Sequence, residues 1–387
     1  MSRGLLVIIP HGLSEILAKG EVVERYYNPG GLFDRVDIVM TVDDHPDPRL
    51  VQTMVGDADL HLHAVPIPDG LFRRSLGFSP ALVRGWTEQI VTLAQKVSPS
   101  LVRCHGAHLN ALAARHVRKR LGIPYAVSLH INPDEDVRNR AVSRGDRLRL
   151  RAMVPLERAG LLGADLVLPV YEPIVPYLER LGVRRYEVAY NVVGGRHLRV
   201  KADYSLHDPV RVISVGRLFS AKNPEHLIRA LEELDGVELT VVGDGPLRPT
   251  LERIASERVS FRPSIPNAEL CAMLAEQDVF ATHTEHWEIS KAILEPLLTG
   301  LPVVLNCRTG APVPELEGGI CRFVESSVAG YREGLRDLLG DHHAREALGR
   351  RGRQEASARW APEQTEERFA EIYRHLLGAA PQVPSAA

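Results

Sequence analysis

Short runs of Val, Ile and Leu recur along the chain, separated by stretches whose apolar residues return at helical spacing. Continuous apolar runs of this length are the pattern of parallel strands, which are covered on both faces. In the first half they predict strands at Leu5–Pro10, Val36–Val42, His61–Val65, Leu101–Cys104, Tyr125–His130, Leu166–Val170 and Tyr186–Tyr190. Helices are predicted between them at Glu15–Tyr26, Pro80–Val97, the segment ending at Arg120, and Arg147–Leu162. Lys201–Pro209 is polar and broken by His-Asp-Pro, as a linker is. The alternation then restarts with strands at Val210–Val215, Glu238–Val242, Val259–Arg262, Val279–Thr282, Pro302–Leu305 and Cys321–Val324. Helices fill these gaps at Pro224–Leu234, Leu247–Ser256, Asn267–Glu276 and Ser290–Thr299.

Strand–helix alternation interrupted once predicts an α/β protein of two facing Rossmann-like domains, each a doubly wound parallel sheet, with a cleft between them. The expected divisions are 1–200, 209–355, a helix at 356–377 that packs back on the first domain, and a disordered tail at 378–387.

Composition changes this picture little. A chain of 387 residues that is 44% hydrophobic and 25% charged is an ordinary soluble one with ample core. The formal charge of −2 gives no signature of nucleic-acid binding. Cys104, Cys271, Cys307 and Cys321 are dispersed without a C-x-x-C pair, which suits a reducing cytoplasm rather than a disulfide framework. No leader is expected at Met1–Pro10, and no apolar run approaches the roughly 20 residues of a membrane span.

In open parallel sheets ligands bind beyond the carboxyl ends of the strands. The loop after the strand Val279–Thr282 is dense in polar groups: His283, Thr284, Glu285, His286, Trp287 and Glu288, then Ser290, Lys291 and Ala292 opening a helix. Ser290 suits an N-cap, and the free amides of that helix start favour an anion, phosphate above all. Glu295 lies about one and a half turns into the helix. After Val210–Val215 comes Gly216, then Arg217 and Lys222 in one loop before Pro224, a pair suited to a diphosphate. Taken alone, each of these loops also fits an ordinary solvated surface.

The segment Gly243-Asp244-Gly245 reads as a tight strand-to-helix turn, since the third glycine of a dinucleotide fingerprint is replaced by Arg248. His130 ends a strand and points toward the ligand edge, while His105 and His108 fit structural roles equally well. The acidic pairs Asp43/Asp44, Asp57/Asp59 and Asp134/Asp136 sit in turn-rich segments and predict no metal site.

The ordered segments GRLFSAKNPEHLIRAL, LTVVGDGPLRPTLE, ISKAILEPLLTGLPVV and PELEGGICRFV resemble the C-terminal half of retaining glycosyltransferases of the GT-B fold, family four. GIPYAVSLH and YEVAYNVV carry a weaker similarity in the first half. The resemblance implies a sugar transfer from a nucleotide-sugar, with no bound metal and no cofactor beyond that co-substrate. It implies that Arg217 and Lys222 bind the donor diphosphate, that Glu295 holds the ribose, that His130 lies near the donor sugar, and that Gly12 lies in the loop near donor phosphate and acceptor. Gly216, Ser290, Lys291 and Ala292 complete the implied donor site.

Two departures stand out. Trp287 occupies the position of the family's first glutamate, eight residues before Glu295, with Glu288 one place later as the candidate substitute. Pro296 follows Glu295 and is expected to kink the helix. A sugar-nucleotide epimerase of the same fold and a non-catalytic sugar-nucleotide-binding protein remain alternatives. The acceptor is a sugar, a lipid-linked molecule or another small molecule. Two basic runs are a solvated face or a contact with anionic membrane on its inner side: Arg115, Arg118, Lys119 and Arg120, and then six arginines from Arg138 to Arg151.

Overall fold

The computed structural model describes residues 3–71, 79–138, 143–286, 288–308 and 313–379. Its chain divides into two compact units. One comprises Met1–Ala18, Val22–Val192 and the chain from Thr365 onward; the other comprises Lys19–Glu21 and Val193–Gln364.

The first unit holds a parallel sheet built from β1 (Gly4–Ile9), β2 (Arg35–Met40), β3 (Asp59–Ala64), β4 (Leu101–His105), β5 (Tyr125–Leu129) and β6 (Leu166–Pro169). Its order is β3-β2-β1-β4-β5-β6. Because β1 is central, Leu5, Val7 and Ile9 are sealed on one face and Leu6 and Ile8 on the other, and all five are fully buried. Each such side chain contributes about 1.5–3 kcal/mol relative to exposure. The helix Pro362–Ala379 adds Phe369, Ile372 and Tyr373 to the core beneath this sheet, so the chain's last described helix belongs to its first unit.

The second unit repeats the plan with β7 (Val210–Val215), β8 (Val237–Val242), β9 (Val259–Arg262), β10 (Val279–Thr282), β11 (Val303–Asn306) and β12 (Arg322–Val324), all parallel. The order is β12-β11-β10-β7-β8-β9. In each sheet the strand order reverses between the first strand and the fourth, β1 against β4 and β7 against β10. That junction opens the crevice in which such sheets bind ligands.

Two local expectations need correction. The helix predicted over Glu15–Tyr26 spans only Leu13–Ala18, because Gly20 takes φ of 64° and turns the chain. Tyr186–Tyr190 is not a strand: residues 185–189 run beside β6 and exchange three backbone hydrogen bonds with it, yet form one isolated bridge, Val167 with Tyr186. Beyond β5 the chain breaks at 130–132 and then makes one turn of π-helix, Pro133–Arg138. Trp287 and Arg140 lie outside the described residues, as does the tail from 380.

Candidate active site

In the second unit the sheet junction delivers two loops side by side. After β7 the chain runs Gly216, Arg217, Leu218, Phe219 and then folds back, Phe219 and Lys222 forming an antiparallel bridge. The turn at 243–245 lies directly under this loop. Gly216 donates its amide to Val242 O and Leu218 donates to Asp244 O, at 3.0 and 2.9 Å. A Cβ on Gly243 would sit 2.0 Å from Gly216 O, and one on Gly245 would sit 2.2 Å from Leu218 O. The two glycines are therefore required by close backbone approach, and they brace the Arg217 loop rather than bind a dinucleotide. The Arg217 guanidinium stacks over Phe219 with its carbon 5.1 Å from the ring centre, and the His286 ring approaches Phe219 at 5.5 Å.

The second loop follows β10. Its Glu285 amide donates to Ala221 O at 2.8 Å, tying it to the first. Lys222 Nζ then meets Glu288 Oε1 at 2.5 Å, both side chains being largely buried. Arg308 Nη2 donates to Glu288 O at 3.2 Å. Behind the loop Asn306, fully buried at the end of β11, accepts from the Thr284 amide at 2.8 Å and donates to Glu285 Oε1 at 3.1 Å. His283 sits beneath, its Nε2 3.2 Å from Glu285 Oε1; burial lowers its pKa against the pull of that carboxylate.

The loop ends in the helix Lys291–Thr299. Ser290 occupies the N-cap position, but its side chain makes no capping bond, so the first-turn amides are not capped by it. Lys291 Nζ lies 3.4 Å from Glu21. Pro296 stays inside the helix, and Gly300 closes it at φ of 86°. Glu295 is 4% exposed and accepts from Asn267 Nδ2 at 2.7 Å. Burial pushes its carboxyl up to about 7, opposed by the Asn267 hydrogen bond and the Lys291 charge. An acid poised this way is a common mark of a functional site.

The first unit has its own polar cluster beyond β1, β4 and β5. Gly12 packs so closely on the Asp44 carboxylate that a Cβ would lie 2.5 Å from Oδ2, while Asp44 accepts from the Ser14 amide and hydroxyl at 3.0 and 2.6 Å. His130 follows β5 and its Nδ1 lies 3.0 Å from Asn191 Oδ1. His105 stacks on it with ring centres 5.0 Å apart. Burial, with Arg103, His130 and His11 nearby, holds His105 well below the usual histidine range.

His108 proves structural. Its Nε2 lies 2.9 Å from the fully buried Glu157, which also takes two bonds from Arg138, at 2.8 and 2.9 Å, and one from Tyr177 at 2.7 Å. Despite burial, those donors hold Glu157 down to about 2. Arg138 is thereby removed from the basic surface expected of it. In the other basic run Arg118 pairs with Asp165 and Arg120 with Glu88, while Arg144, Arg147 and Arg151 are exposed on the helix Arg144–Leu162. Among the described residues no three His, Cys, Asp or Glu side chains converge as a metal-holding group, and no helix is long and apolar enough to cross a membrane.

Asn306, Asn267 and Asn191 were not singled out by sequence. Asn306 and Asn191 adjoin apolar runs and Asn267 opens a helix after Pro266, signals visible only in hindsight.

The profile of the glycosyl transferase 4-like domain matches residues 31–194, and that of the glycosyl transferases group 1 matches residues 209–341. The chain is 34% identical over 191 residues to a GDP-mannose-dependent alpha-(1-6)-phosphatidylinositol monomannoside mannosyltransferase of Mycolicibacterium smegmatis, a match covering 45% of this chain and 50% of that protein. It is 28% identical over 316 residues to the 2-deoxystreptamine glucosyltransferase of Streptomyces kanamyceticus, covering 70% of this chain and 81% of that one. The chain thus spans about half the length of the first of these curated relatives. Among solved structures, the Anabaena protein HepE in complex with UDP superposes with a TM-score of 0.72 at 16% identity, covering 96% of this chain and 100% of that one.

Proposed function

The chain belongs to the group 1 glycosyl transferases, and on that premise we propose that it moves a sugar from a nucleoside-diphosphate sugar to an acceptor hydroxyl, with retention and without a metal. The observation that carries this reading is the convergence of Arg217, Lys222 and Glu288 at the junction of the second sheet, next to the start of the helix bearing Glu295. When the bond from the anomeric carbon to the diphosphate breaks, negative charge grows on the departing oxygens. Arg217 offers a planar fork and Lys222 a compact charge, so the cationic stabilisation comes from the loop itself. The amides of Ser290, Lys291 and Ala292 add neutral donors, while Gly216, whose own amide is spent on Val242 O, keeps the loop free of a side chain at that point. Glu295 accepts from the ribose hydroxyls, while Glu288 contacts the donor sugar in place of the family's glutamate at Trp287. In the first unit His130 and Gly12 are candidate site residues by the family resemblance.

The relatives' names specify GDP-mannose for one and glucosyl transfer for the other, so the family alone does not choose the sugar. A sugar, a lipid-linked molecule or a small polyol suits as acceptor, and no nucleic acid is invoked. A panel of UDP-, GDP-, ADP- and TDP-sugars read by thermal shift tests the donor, because a ligand of the native state raises apparent stability. The donor so found should release its nucleotide only with acceptor present, and EDTA should not abolish turnover. Binding without turnover across an acceptor panel would favour a non-catalytic protein, and acceptor-free interconversion of the sugar an epimerase.

A further inference from the structure

We propose that Asn267, itself held by Cys271, is a positioning residue that grips one oxygen of the Glu295 carboxyl and so aims the other. Asn267 opens the helix Asn267–Ala275, and Cys271 follows it one turn later on the same face. Asn267 Nδ2 donates to Glu295 Oε1 at 2.7 Å, and the Cys271 thiol donates to Asn267 Oδ1 at 3.7 Å. The two bonds use opposite ends of one amide, so together they fix which way it points. Turned round, the amide would set its oxygen against a carboxylate and its NH2 against sulfur, a weak acceptor. Cys271 is fully buried, and burial pushes its thiol up to about 12, so it keeps the hydrogen that it donates.

The grip matters because Glu295 has little else to hold it. Among the described residues Asn267 is the one hydrogen-bond donor that reaches its carboxyl. The last torsion of a glutamate is broad, so a carboxyl with no bond turns easily, and a bond to one oxygen stops it. The charged groups that face Glu295 are Lys291, one turn earlier on its own helix, and Glu21 from the turn at 19–21. Glu21 lies 3.4 Å from Lys291 Nζ and draws on the same cation, which leaves Asn267 as the contact specific to Glu295. With Oε1 committed to Asn267, Oε2 is the oxygen available to a ligand hydroxyl. All five side chains belong to the second unit.

The hydroxyl assigned to Oε2 rests on the glycosyltransferase reading, whereas the grip of Asn267 and Cys271 does not. Carbon NMR of the whole chain, labelled at the glutamate carboxyls, follows the ionisation of Glu295 without any ligand. Its signal is assigned by its loss in Glu295→Gln. Asn267→Leu, close in size but without a donor, should raise the midpoint by about one pH unit, a tenfold gain in proton affinity, because the charged form loses its hydrogen bond. Cys271→Ala should raise it by less, since the amide is then free to turn, and Cys271→Ser, which keeps a donor, should leave it in place. Urea unfolding at pH 5, where Glu295 is protonated throughout, checks that each variant folds, and the two Cys271 variants carry the test should Asn267→Leu fail there. An unchanged midpoint in Asn267→Leu would overturn the proposal, as would a midpoint displaced equally in Cys271→Ser and Cys271→Ala. The second arm is calorimetry with UDP and GDP at pH 8. Asn267→Leu should lose about tenfold in affinity for whichever nucleotide binds the parent, the scale of one hydrogen bond. A shifted midpoint with nucleotide affinity unchanged would take Glu295 out of the ribose contact and leave the positioning of its carboxyl standing.

Discussion

Lys222 Nζ and Glu288 Oε1 are 2.5 Å apart, so the loop after β7 presents its lysine already engaged by the loop after β10. A diphosphate arriving at Lys222 must share or displace that carboxylate, whereas Arg217 is exposed and stacked on Phe219, ready as it stands. Arg217→Ala and Lys222→Ala should each cost about 1.5–3 kcal/mol of donor affinity, the range for a hydrogen bond to a charged group. Glu288→Gln should instead tighten UDP or GDP, because the competing charge is gone, and slow sugar transfer. Calorimetry and steady-state rates on the three variants check this; weaker nucleotide binding in Glu288→Gln would show that the pair assembles the site rather than competes for it.

The Arg138–Glu157 pair ties two elements of the first unit together. Arg138 clamps the π-turn to the helix Arg144–Leu162, and Glu157 is fully buried. Arg138→Met leaves that carboxylate short of its main cation and should destabilise the unit by about 3–5 kcal/mol at neutral pH. The sign with pH follows from the depressed carboxyl: Glu157 falls from 4.5 to about 2 on folding, so its contribution is present above 4.5 and is lost as pH drops toward 2. Urea unfolding of parent and variant should therefore differ most near neutrality and converge on acidification. A constant gap across that window would assign the effect to packing.

What the sequence makes legible follows from burial on both sheet faces. The central strands, β1 and β10 among them, were marked by apolar runs, because a parallel strand between two helical layers leaves no room for alternation, whereas edge strands β3 and β9 alternate polar and apolar residues. The Arg217–Lys222 loop and the Glu295 helix were legible for a topological reason: each follows a strand at the junction of its sheet. The remainder depends on partners far along the chain. Arg138 meets Glu157 19 residues later, and Asn306 meets Thr284 22 residues earlier. No local spacing encodes such pairs, so Arg138 looked like one more surface cation. Residues 185–189 failed as a strand because hydrophobic pattern does not specify whether an edge segment keeps a regular ladder.

Membrane contact now rests on fewer residues. Arg144, Arg147 and Arg151 are exposed on one helix, and Leu148 among them is 51% exposed. Positions 144, 147, 148 and 151 share a helical face. At about 1 kcal/mol per cation near an anionic leaflet, three could hold the protein reversibly at low salt. Sedimentation with phosphatidylglycerol vesicles should retain it, phosphatidylcholine should not, and replacing the three arginines with Gln should release it. Protein left in the supernatant over acidic vesicles at low salt would mark the helix as a solvated face.

Glu295 gives the sharpest dependence on pH. Its carboxyl rises from 4.5 to about 7 on folding, chiefly because it is buried, with one neutral donor in Asn267 to offset the loss of water. The folded state therefore holds this proton more tightly than the unfolded chain does. Stability from this group is full below 4.5 and declines as pH climbs to 7, by about 3 kcal/mol at 1.36 kcal/mol per unit. Glu295→Gln, which cannot ionise, should be more stable than the parent at pH 8 and nearly equal to it at pH 5. Binding runs the other way. Ribose hydroxyls donate best to a carboxylate, so a donor bound below pH 7 must first expel the proton, and affinity should rise with pH up to about 7 and then level off. The same variant should bind nucleotide weakly and without that slope. Thermal unfolding and calorimetry on parent and variant between pH 5 and 8 test both halves, and a nucleotide affinity flat across that range in the parent would take Glu295 out of the ribose contact.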